Sequence, residues 1–231
     1  MLNYYSGDLI STILILGSLG ISLAASFYVN FNYKRYKKVN INSKKTGFDV
    51  AREILDRNGL NKVLILETTG ELSDHYDPTK KVIKLSHDIY HGSSVASTSV
   101  AAHECGHAIQ DKEGYTFLRF RNKIVPLVNF SSKAGYIAIM LGILLSLRDL
   151  IWVGIALELV ILVFQLITLP VEFDASNRAL KNISEMQLVN SNELEGSKKM
   201  LTSAALTYVA SVLTNVIELL RLIIIARSRD E

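Results

Sequence analysis

Cysteine and proline are scarce in this chain. A single cysteine, Cys105, stands among 231 residues, which excludes an internal disulfide framework. Three prolines occur, and the chain shows neither a low-complexity tract nor an internal repeat, so Pro-rich linkers and repeat architectures are not indicated. The net charge of +3 is too small to indicate a nucleic acid as partner.

Charged residues are missing from long parts of the chain, although they make up 20% of the whole. The uncharged or nearly uncharged stretches are long enough to cross the hydrocarbon core of a bilayer, which takes about 20 residues. They lie at 9–31, 125–147, 150–170 and 200–226, and the charges crowd into 34–123 and 171–199. This segregation is typical of a multi-pass membrane protein with one sizeable polar insert.

The first apolar stretch predicts the orientation in the membrane. No Lys or Arg precedes it, and it is long enough to span, so a cleaved signal peptide is not indicated. The basic cluster that follows it assigns residues 34–125 to the cytoplasm by the positive-inside rule; this cluster is Lys34, Arg35, Lys37 and Lys38. A membrane hairpin that turns at Arg148 and Asp149 would return the chain to the same side.

The polar insert reads as a mixture of helices and short strands. Thr46 and Gly59 can cap and close a helix over 46–58. Segments 62–67 and 81–86 are rich in β-branched residues and are separated by turn residues, so we predict a β-hairpin. The alternating strand Val82–Leu85 is expected to form a sheet edge, to which a substrate peptide could add as a further strand.

A helix predicted over 92–110 carries an H-E-x-x-H motif, His103-Glu104-Cys105-Gly106-His107. Two histidines four residues apart share one helix face, so both imidazoles can bind one zinc ion. Glu104 then stands beside the water that the metal activates, as a general base and later as the acid for the leaving amine. The alternative is a helix with two ordinary histidines and a solvated glutamate, which the helical context disfavours.

A catalytic zinc usually takes three protein ligands and keeps one position open. None of the five histidines in the chain supplies the third one of an H-x-x-G-x-x-H continuation after His107. A carboxylate from a second helix is the alternative, and Glu172 and Asp174 follow Pro170 closely. Spacing alone leaves the two open, because Glu172 can equally be a carboxylate that a helix N-terminus favours.

Three motifs in order along the chain resemble a known family. VAAHECGHAIQ, DHYDPTKKVIKLS and LPVEFDASNRAL look like the bacterial membrane zinc metallopeptidases of the YugP-like neutral zinc metallopeptidase type, and the similarity extends to AALTYVAS at 204–211. The resemblance implies one Zn2+ per chain, with His103, His107 and Glu172 as ligands and Glu104 as the catalytic residue. It also implies a bacterial cell membrane, the lipid bilayer as surroundings and a protein or peptide as substrate.

A more distant similarity to the HtpX-type and prenyl-protein-processing membrane proteases implies a gluzincin-type site. Those proteins carry E-x-x-x-D, in which the aspartate supports a ligand histidine, whereas the matching position here is Ser176. Asp174 is the candidate to take over that supporting role.

The fold expected from these observations is an α+β membrane protein. Its zincin-like catalytic domain has a short β-hairpin or sheet and is anchored by three to four transmembrane helices. The expected segments are a first transmembrane helix at 1–33, the catalytic domain at 34–125, a transmembrane hairpin at 126–170, a helix with the third ligand that restarts after Pro170 at 171–199, and a C-terminal apolar helix at 200–231.

Other residues of the polar segments are weaker candidates for the site. His75 and Tyr76 could donate to a tetrahedral oxyanion, although their neighbours are common turn residues. Arg178 could contact substrate, or it could pair with Asp174 four residues earlier on a helix. Cys105 faces away from the two histidines and is expected to pack in the core.

Two other functions fit parts of the sequence. A non-catalytic zinc-binding membrane scaffold would not need a base beside the metal, so the intact Glu104 argues against it. A site-2-type intramembrane protease would place the motif within a membrane span, but charged residues surround the motif helix between 86 and 113.

Overall fold

The computed structural model describes residues 2–227, with side chains described from residue 9 onward, so Met1 and the end of the predicted last segment lie outside it. Its elements in chain order are α1 (Leu2–Tyr36), α2 (Gly47–Arg57), β1 (Leu64–Thr68), β2 (His75–Asp77), β3 (Val82–Ser86), α3 (His87–His91), α4 (Val95–Glu113), α5 (Thr116–Leu144), α6 (Arg148–Glu185) and α7 (Ser191–Arg227).

The small sheet has the strand order β1–β3–β2. β1 and β3 are parallel, with Leu64 opposite Val82, and β2 is antiparallel to β3, with Tyr76 opposite Ile83. The predicted hairpin of 62–67 with 81–86 is therefore wrong, because the hairpin is formed by β2 and β3. The expectation of an edge at Val82–Leu85 is also wrong, because β3 is paired on both sides.

The turn between β2 and β3 explains this arrangement. Asp77 accepts hydrogen bonds on Oδ1 from the backbone N–H groups of Thr79 and Lys80, at 2.9 and 3.0 Å. Lys81 then adopts a positive φ of 52°, and the chain reverses so that β3 runs antiparallel to β2. Because β2 occupies one side of β3, β1 pairs with the other side.

Helix α2 begins and ends as predicted. Thr46 accepts a hydrogen bond from the N–H of Asp49 and donates its own N–H to the Asp49 carboxylate, which is a capping box. Gly59 follows the helix with a φ of 66°. The buried face of α2 packs on α4, where Cys105 is fully buried with Sγ 3.5 Å from the carbonyl oxygen of Ala51. Cys105 therefore packs in the core, as expected.

The chain divides into two compact units. One comprises residues 27–119 and 170–206 and contains the sheet, α2, α3 and α4. Its core is formed by apolar side chains from each of these elements and from the end of α6, among them Val50, Ile54, Leu55, Ile65, Ile83, Leu85, Ile89, Ala101, Cys105, Ile109, Ala179 and Ile183. We call it the polar unit, since it holds most of the charged residues.

The other unit comprises the described parts of 1–26, 120–169 and 207–231 and is helical. Within it α5 and α6 approach closely through glycines: a Cβ on Gly142 would lie 2.7 Å from Cγ1 of Ile151, and one on Gly154 would lie 2.4 Å from Cγ1 of Ile139. Arg221 donates to Glu218 at 2.8 Å, so these two charges of α7 are the partner pair that their spacing predicts.

Among residues 9–227, four helices are long and apolar enough to cross a membrane, by length and composition. They are α1 from Leu9 onward, α5, α6 and α7. The helices extend beyond the predicted apolar segments, and the predicted restart after Pro170 is wrong. α5 begins at Thr116 and contains Pro126, α6 continues through Pro170 without a restart, and α7 begins at Ser191. A proline removes one backbone donor, and the surrounding turns keep both helices continuous.

Candidate metal centre

Helix α4 carries the H-E-x-x-H motif. It begins at Val95, later than predicted, because His87–His91 form the separate helix α3. Ser94 caps the start of α4, since its hydroxyl accepts a hydrogen bond from the N–H of Ser97 at 3.1 Å. Gly114 ends it in the left-handed conformation. One turn apart on this helix, the rings of His103 and His107 stand edge to face with centroids 4.8 Å apart.

Direct backbone contact with α6 brings the third donor to these histidines. A Cβ on Gly106 would lie 2.5 Å from the carbonyl oxygen of Ala175, so no other residue fits between the two helices without displacing one of them. Glu172 and Ser176 flank Ala175 on the same helix. The glycine inside the motif therefore allows α6 to present both side chains to α4.

Three donor atoms converge at this contact. Oε2 of Glu172 lies 3.3 Å from Nε2 of His103 and 3.6 Å from Nε2 of His107. Ligands around a tetrahedral zinc, with bonds of about 2.0–2.1 Å, lie roughly 3.4 Å apart. Glu172 is 4% exposed, whereas the two histidines are partly accessible. Two imidazoles and one carboxylate, open on one side, are a donor set that fits a catalytic zinc.

Gln110 fixes the tautomer of His107. Its Nε2 donates at 2.8 Å to both the carbonyl oxygen of Val171 and the carboxylate of Asp174. The amide oxygen is therefore the atom that faces Nδ1 of His107, at 3.0 Å, and it accepts the proton of that nitrogen. Nε2 of His107 is left with a lone pair directed toward Glu172, which is the form that binds a metal.

Ser176 supports the other histidine. Its hydroxyl lies 3.2 Å from Nδ1 of His103, so Ser176 contacts this candidate ligand directly. Asp174 acts one step further away, because it binds Gln110 and receives a hydrogen bond from Arg178 at 2.5 Å. Asp174 therefore supports His107 indirectly, because it orients Gln110, which contacts that histidine.

Glu104 lies beside the donor set and is 7% exposed. Burial raises the pKa of its carboxyl group to about 7, and the nearby imidazole of His103 opposes this shift. The backbone of Tyr76, on the edge strand β2, also opposes this rise in the pKa. A carboxyl group with a pKa near neutrality can both take up and release a proton under working conditions.

The remaining predicted candidates lie nearby in the polar unit. Arg178 is engaged by Asp174 and by Glu113, whose Oε2 lies 2.6 Å from Nη1. His75 is exposed, with Nδ1 2.8 Å from the carbonyl oxygen of Ser73. The Tyr76 hydroxyl donates to Asp111 at 2.7 Å. Burial is the main cause that raises the pKa of this phenol, and the Asp111 carboxylate raises it further. Both His75 and Tyr76 belong to the edge strand β2.

Comparison with known proteins decides the family. Residues 11–227 match the family described as "Putative neutral zinc metallopeptidase". The chain belongs to this family. A relative from Bacillus subtilis (strain 168), called "Putative membrane protease YugP", is 46% identical over 219 residues, which cover 94% of this chain and 97% of the relative. No solved structure matches the chain.

The family match confirms the resemblance drawn from the three motifs, and the geometry adds residues that the sequence did not single out. Gln110 is three residues after His107, on the same helix face, and that spacing was the available signal. A second H-x-x-x-H spacing was also present, since His87-Asp88-Ile89-Tyr90-His91 precedes the motif by 16 residues. The structure places these two histidines against Glu67, away from the other set.

Proposed function

We propose that this neutral zinc metallopeptidase family member is a membrane-anchored metalloendopeptidase of the gluzincin type, which hydrolyses peptide bonds in proteins or peptides near the membrane surface. The proposal rests on one observation: His103, His107 and Glu172 converge with the spacing of zinc ligands, and the buried Glu104 stands beside them. One Zn2+ per chain is the cofactor that this donor set indicates.

Zinc, when bound, would supply a Lewis acid that polarises the substrate carbonyl group and makes water nucleophilic at neutral pH. Glu104 would accept the proton of the attacking water and deliver it to the nitrogen of the leaving amine. Burial, which raises the pKa of Glu104 in the metal-free protein, favours the uptake of this proton. Gln110 and Ser176 would hold the imidazoles in place.

Developing negative charge on the substrate carbonyl oxygen needs a donor. His75 and Tyr76 are our candidates, because they lie on β2, an edge strand of the sheet, and the backbone of Tyr76 influences the pKa of Glu104. Arg178 is less suited to contact substrate, since two carboxylates, Asp174 and Glu113, already engage its guanidinium, whereas the Tyr76 hydroxyl would have to leave one, Asp111. Removal of a donor to the oxyanion should lower kcat and leave KM nearly unchanged. Both constants would be measured for His75→Ala and for Tyr76→Phe.

Membrane anchoring is supported by the four long apolar helices and by the exposure of their side chains. Leu16 and Leu23 on α1 are each 61% exposed, which suits contact with lipid. The basic residues at the end of α1 support a cytoplasmic active site. The four apolar helices support several passes, and the Bacillus subtilis relative supports a bacterial cell membrane. An intramembrane site is disfavoured, because α4 is not among the four apolar helices of residues 9–227.

Cysteine labelling in intact cells tests the orientation. A cysteine introduced at Lys112 should resist a membrane-impermeant reagent, and one at Arg148 should react. The native Cys105 is fully buried and serves as the unreactive background. Labelling of the Lys112 position from outside would mean that the site faces the exterior.

The peptidase activity is tested with Glu104→Gln, which removes the base and keeps a side chain of the same size. Purified wild type and variant would be analysed for zinc and assayed with a casein-type substrate. We expect the variant to hold as much zinc as the wild type and to lose at least about 100-fold in turnover. Wild-type turnover by the variant would refute the mechanism. Zinc without turnover in either protein would favour a non-catalytic scaffold.

A further inference from the structure

The polar unit contains a second set of two imidazoles and a carboxylate. Nδ1 of His87 lies 2.6 Å from Oε1 of Glu67, and Nε2 of His91 lies 3.1 Å from Oε2 of the same carboxylate. The three donor atoms all lie within 4.8 Å of one another. Unlike the set on α4, this one is on the surface, with side-chain exposures of 71%, 55% and 43% for His87, His91 and Glu67.

The fold holds these residues together independently of any ion. In the parallel register of β1 and β3, Glu67 is opposite Leu85, and α3 begins two residues later at His87. The two histidines stand at positions i and i+4 of α3, with ring centroids 4.8 Å apart. The ring of His91 also packs against Tyr90, at 4.7 Å between centroids, and Tyr90 packs against Phe48.

We propose that Glu67, His87 and His91 form a second metal site, which binds a divalent transition metal such as zinc at the surface of the polar unit. Two imidazole nitrogens and one carboxylate oxygen suit Zn2+, Ni2+ or Cu2+, whereas Mg2+ and Ca2+ require mainly oxygen ligands. Water completes the coordination, because all three side chains are exposed. The site is therefore weaker than the buried one, and the two fill in sequence as zinc is added.

An ion at this site would connect the end of β1 to the segment that leads into α4. Ser97 on the first turn of α4 donates to the carbonyl oxygen of Asp88 at 3.3 Å, and Gly47 donates to that of Gly92 at 3.0 Å. α3 is thus tied both to α4 and to the start of α2. Binding stabilises the folded form by mass action, so zinc in excess should raise the thermal unfolding midpoint further after the buried site is full.

The test counts zinc ions on the full-length, untagged protein in detergent. Wild type, after removal of metal, should take up two equivalents of Zn2+ per chain, the second more weakly. His87→Gln combined with His91→Gln should take up one equivalent and keep the tight one. His103→Ala should also take up one equivalent, the weaker one, so the two sites and the two proposals are separated by different variants.

His75→Gln is the matched control, because His75 is the remaining histidine and is exposed on β2. It should retain two equivalents. Glu67→Gln provides a second variant that leaves α3 unchanged, and it should weaken the second equivalent at least tenfold. A double variant of His87 and His91 that binds as much zinc as wild type would overturn the proposal. So would loss of the second equivalent in His75→Gln, since that would indicate unspecific binding by surface imidazoles.

Discussion

The chain contains two H-acid-x-x-H segments, 16 residues apart, and they differ in their surroundings. In His103–His107 the two Nε2 atoms converge on the buried Glu172, and in His87–His91 one Nδ1 and one Nε2 reach the exposed Glu67. The acidic residue after the first histidine differs as well. Glu104 is buried, whereas Asp88 is half-exposed and paired with Lys37.

This comparison separates binding from catalysis. The donor types needed to hold a transition metal are present at both places. A base with a pKa near neutrality, fixed imidazole tautomers and a partly closed environment are present only in the set on α4, among the described residues. We therefore expect the motif to specify the ligands and the packing of α4 against α6 to provide what catalysis needs beyond them.

The largest difference should appear on removal of the carboxylates. Glu172→Ala should abolish tight zinc binding and all measurable peptidase activity, since it removes one of three ligands. Glu67→Ala should leave the tight equivalent and the activity in place. Metal analysis after dialysis and a peptide cleavage assay check both. Asp174 provides the control carboxylate, two residues from Glu172. If Asp174→Ala loses more zinc than Glu172→Ala, the ligand assignment is wrong.

The two acidic residues should have opposite effects on stability as a function of pH in the metal-free protein. Burial raises the pKa of Glu104 from 4.5 to about 7, so the folded state binds more protons and loses stability as pH rises from 4.5 to 7, by up to about 3 kcal/mol. The hydrogen bond from Lys37 lowers the pKa of Asp88 below 3.8, so its contribution is lost only as pH falls below that value.

Thermal unfolding of metal-free protein between pH 4 and 8 checks this. Glu104→Gln should remove most of the decline above pH 4.5, whereas Asp88→Asn should leave that decline unchanged. An equal decline in wild type and Glu104→Gln would show that Glu104 does not titrate in this range.

Gln110 sharpens the comparison, because the exposed set has no corresponding amide in contact with its histidines among the described residues. Gln110→Leu removes the acceptor for Nδ1 of His107 and the donor to Asp174 and Val171. We expect zinc affinity at the buried site to fall about 10- to 100-fold, as for other residues that orient metal ligands. Competition with a zinc chelator measures it. An unchanged affinity would mean that packing alone fixes His107.

The smallest effect is expected at Ser176. Its hydroxyl makes one neutral hydrogen bond of 3.2 Å to His103, and such bonds contribute about 0.5–1.5 kcal/mol. Ser176→Ala should therefore weaken zinc roughly 2- to 10-fold, and Ser176→Asp should restore or strengthen it through a charged acceptor. The same chelator competition applies, and a weaker affinity in Ser176→Asp than in Ser176→Ala would contradict this role.

The sequence predicted the residues whose spacing is local and left open those that depend on tertiary contact. His103 and His107 follow from one helical turn, and Thr46 and Gly59 from local capping. The choice of Glu172 over Asp174 was open on spacing. Residues two apart on a helix point in different directions, and only the contact with α4 shows which of them faces the histidines. The resemblance to the family, and not the spacing, favoured Glu172.

The sheet and the proline positions could not be predicted by the same local rules. Segments 62–67 and 81–86 look alike, and the connection between them at 68–80 is long enough either for a hairpin loop or for a crossover to a parallel strand. Pro170 was taken as a helix boundary, which is the usual effect of proline, yet α6 continues through it. Continuity of a helix is decided by the packing of the turns around the proline, which the sequence does not display.

The close approach at Gly106 sets what protein engineering can vary in this motif. A library that keeps His103, Glu104 and His107 and randomises the two positions between them should recover several small residues in place of Cys105, which is buried but has a side chain of its own. At Gly106 only glycine should survive selection, because any β-carbon meets the backbone of α6 at 2.5 Å. In this chain, one of the two variable letters of H-E-x-x-H is therefore not variable.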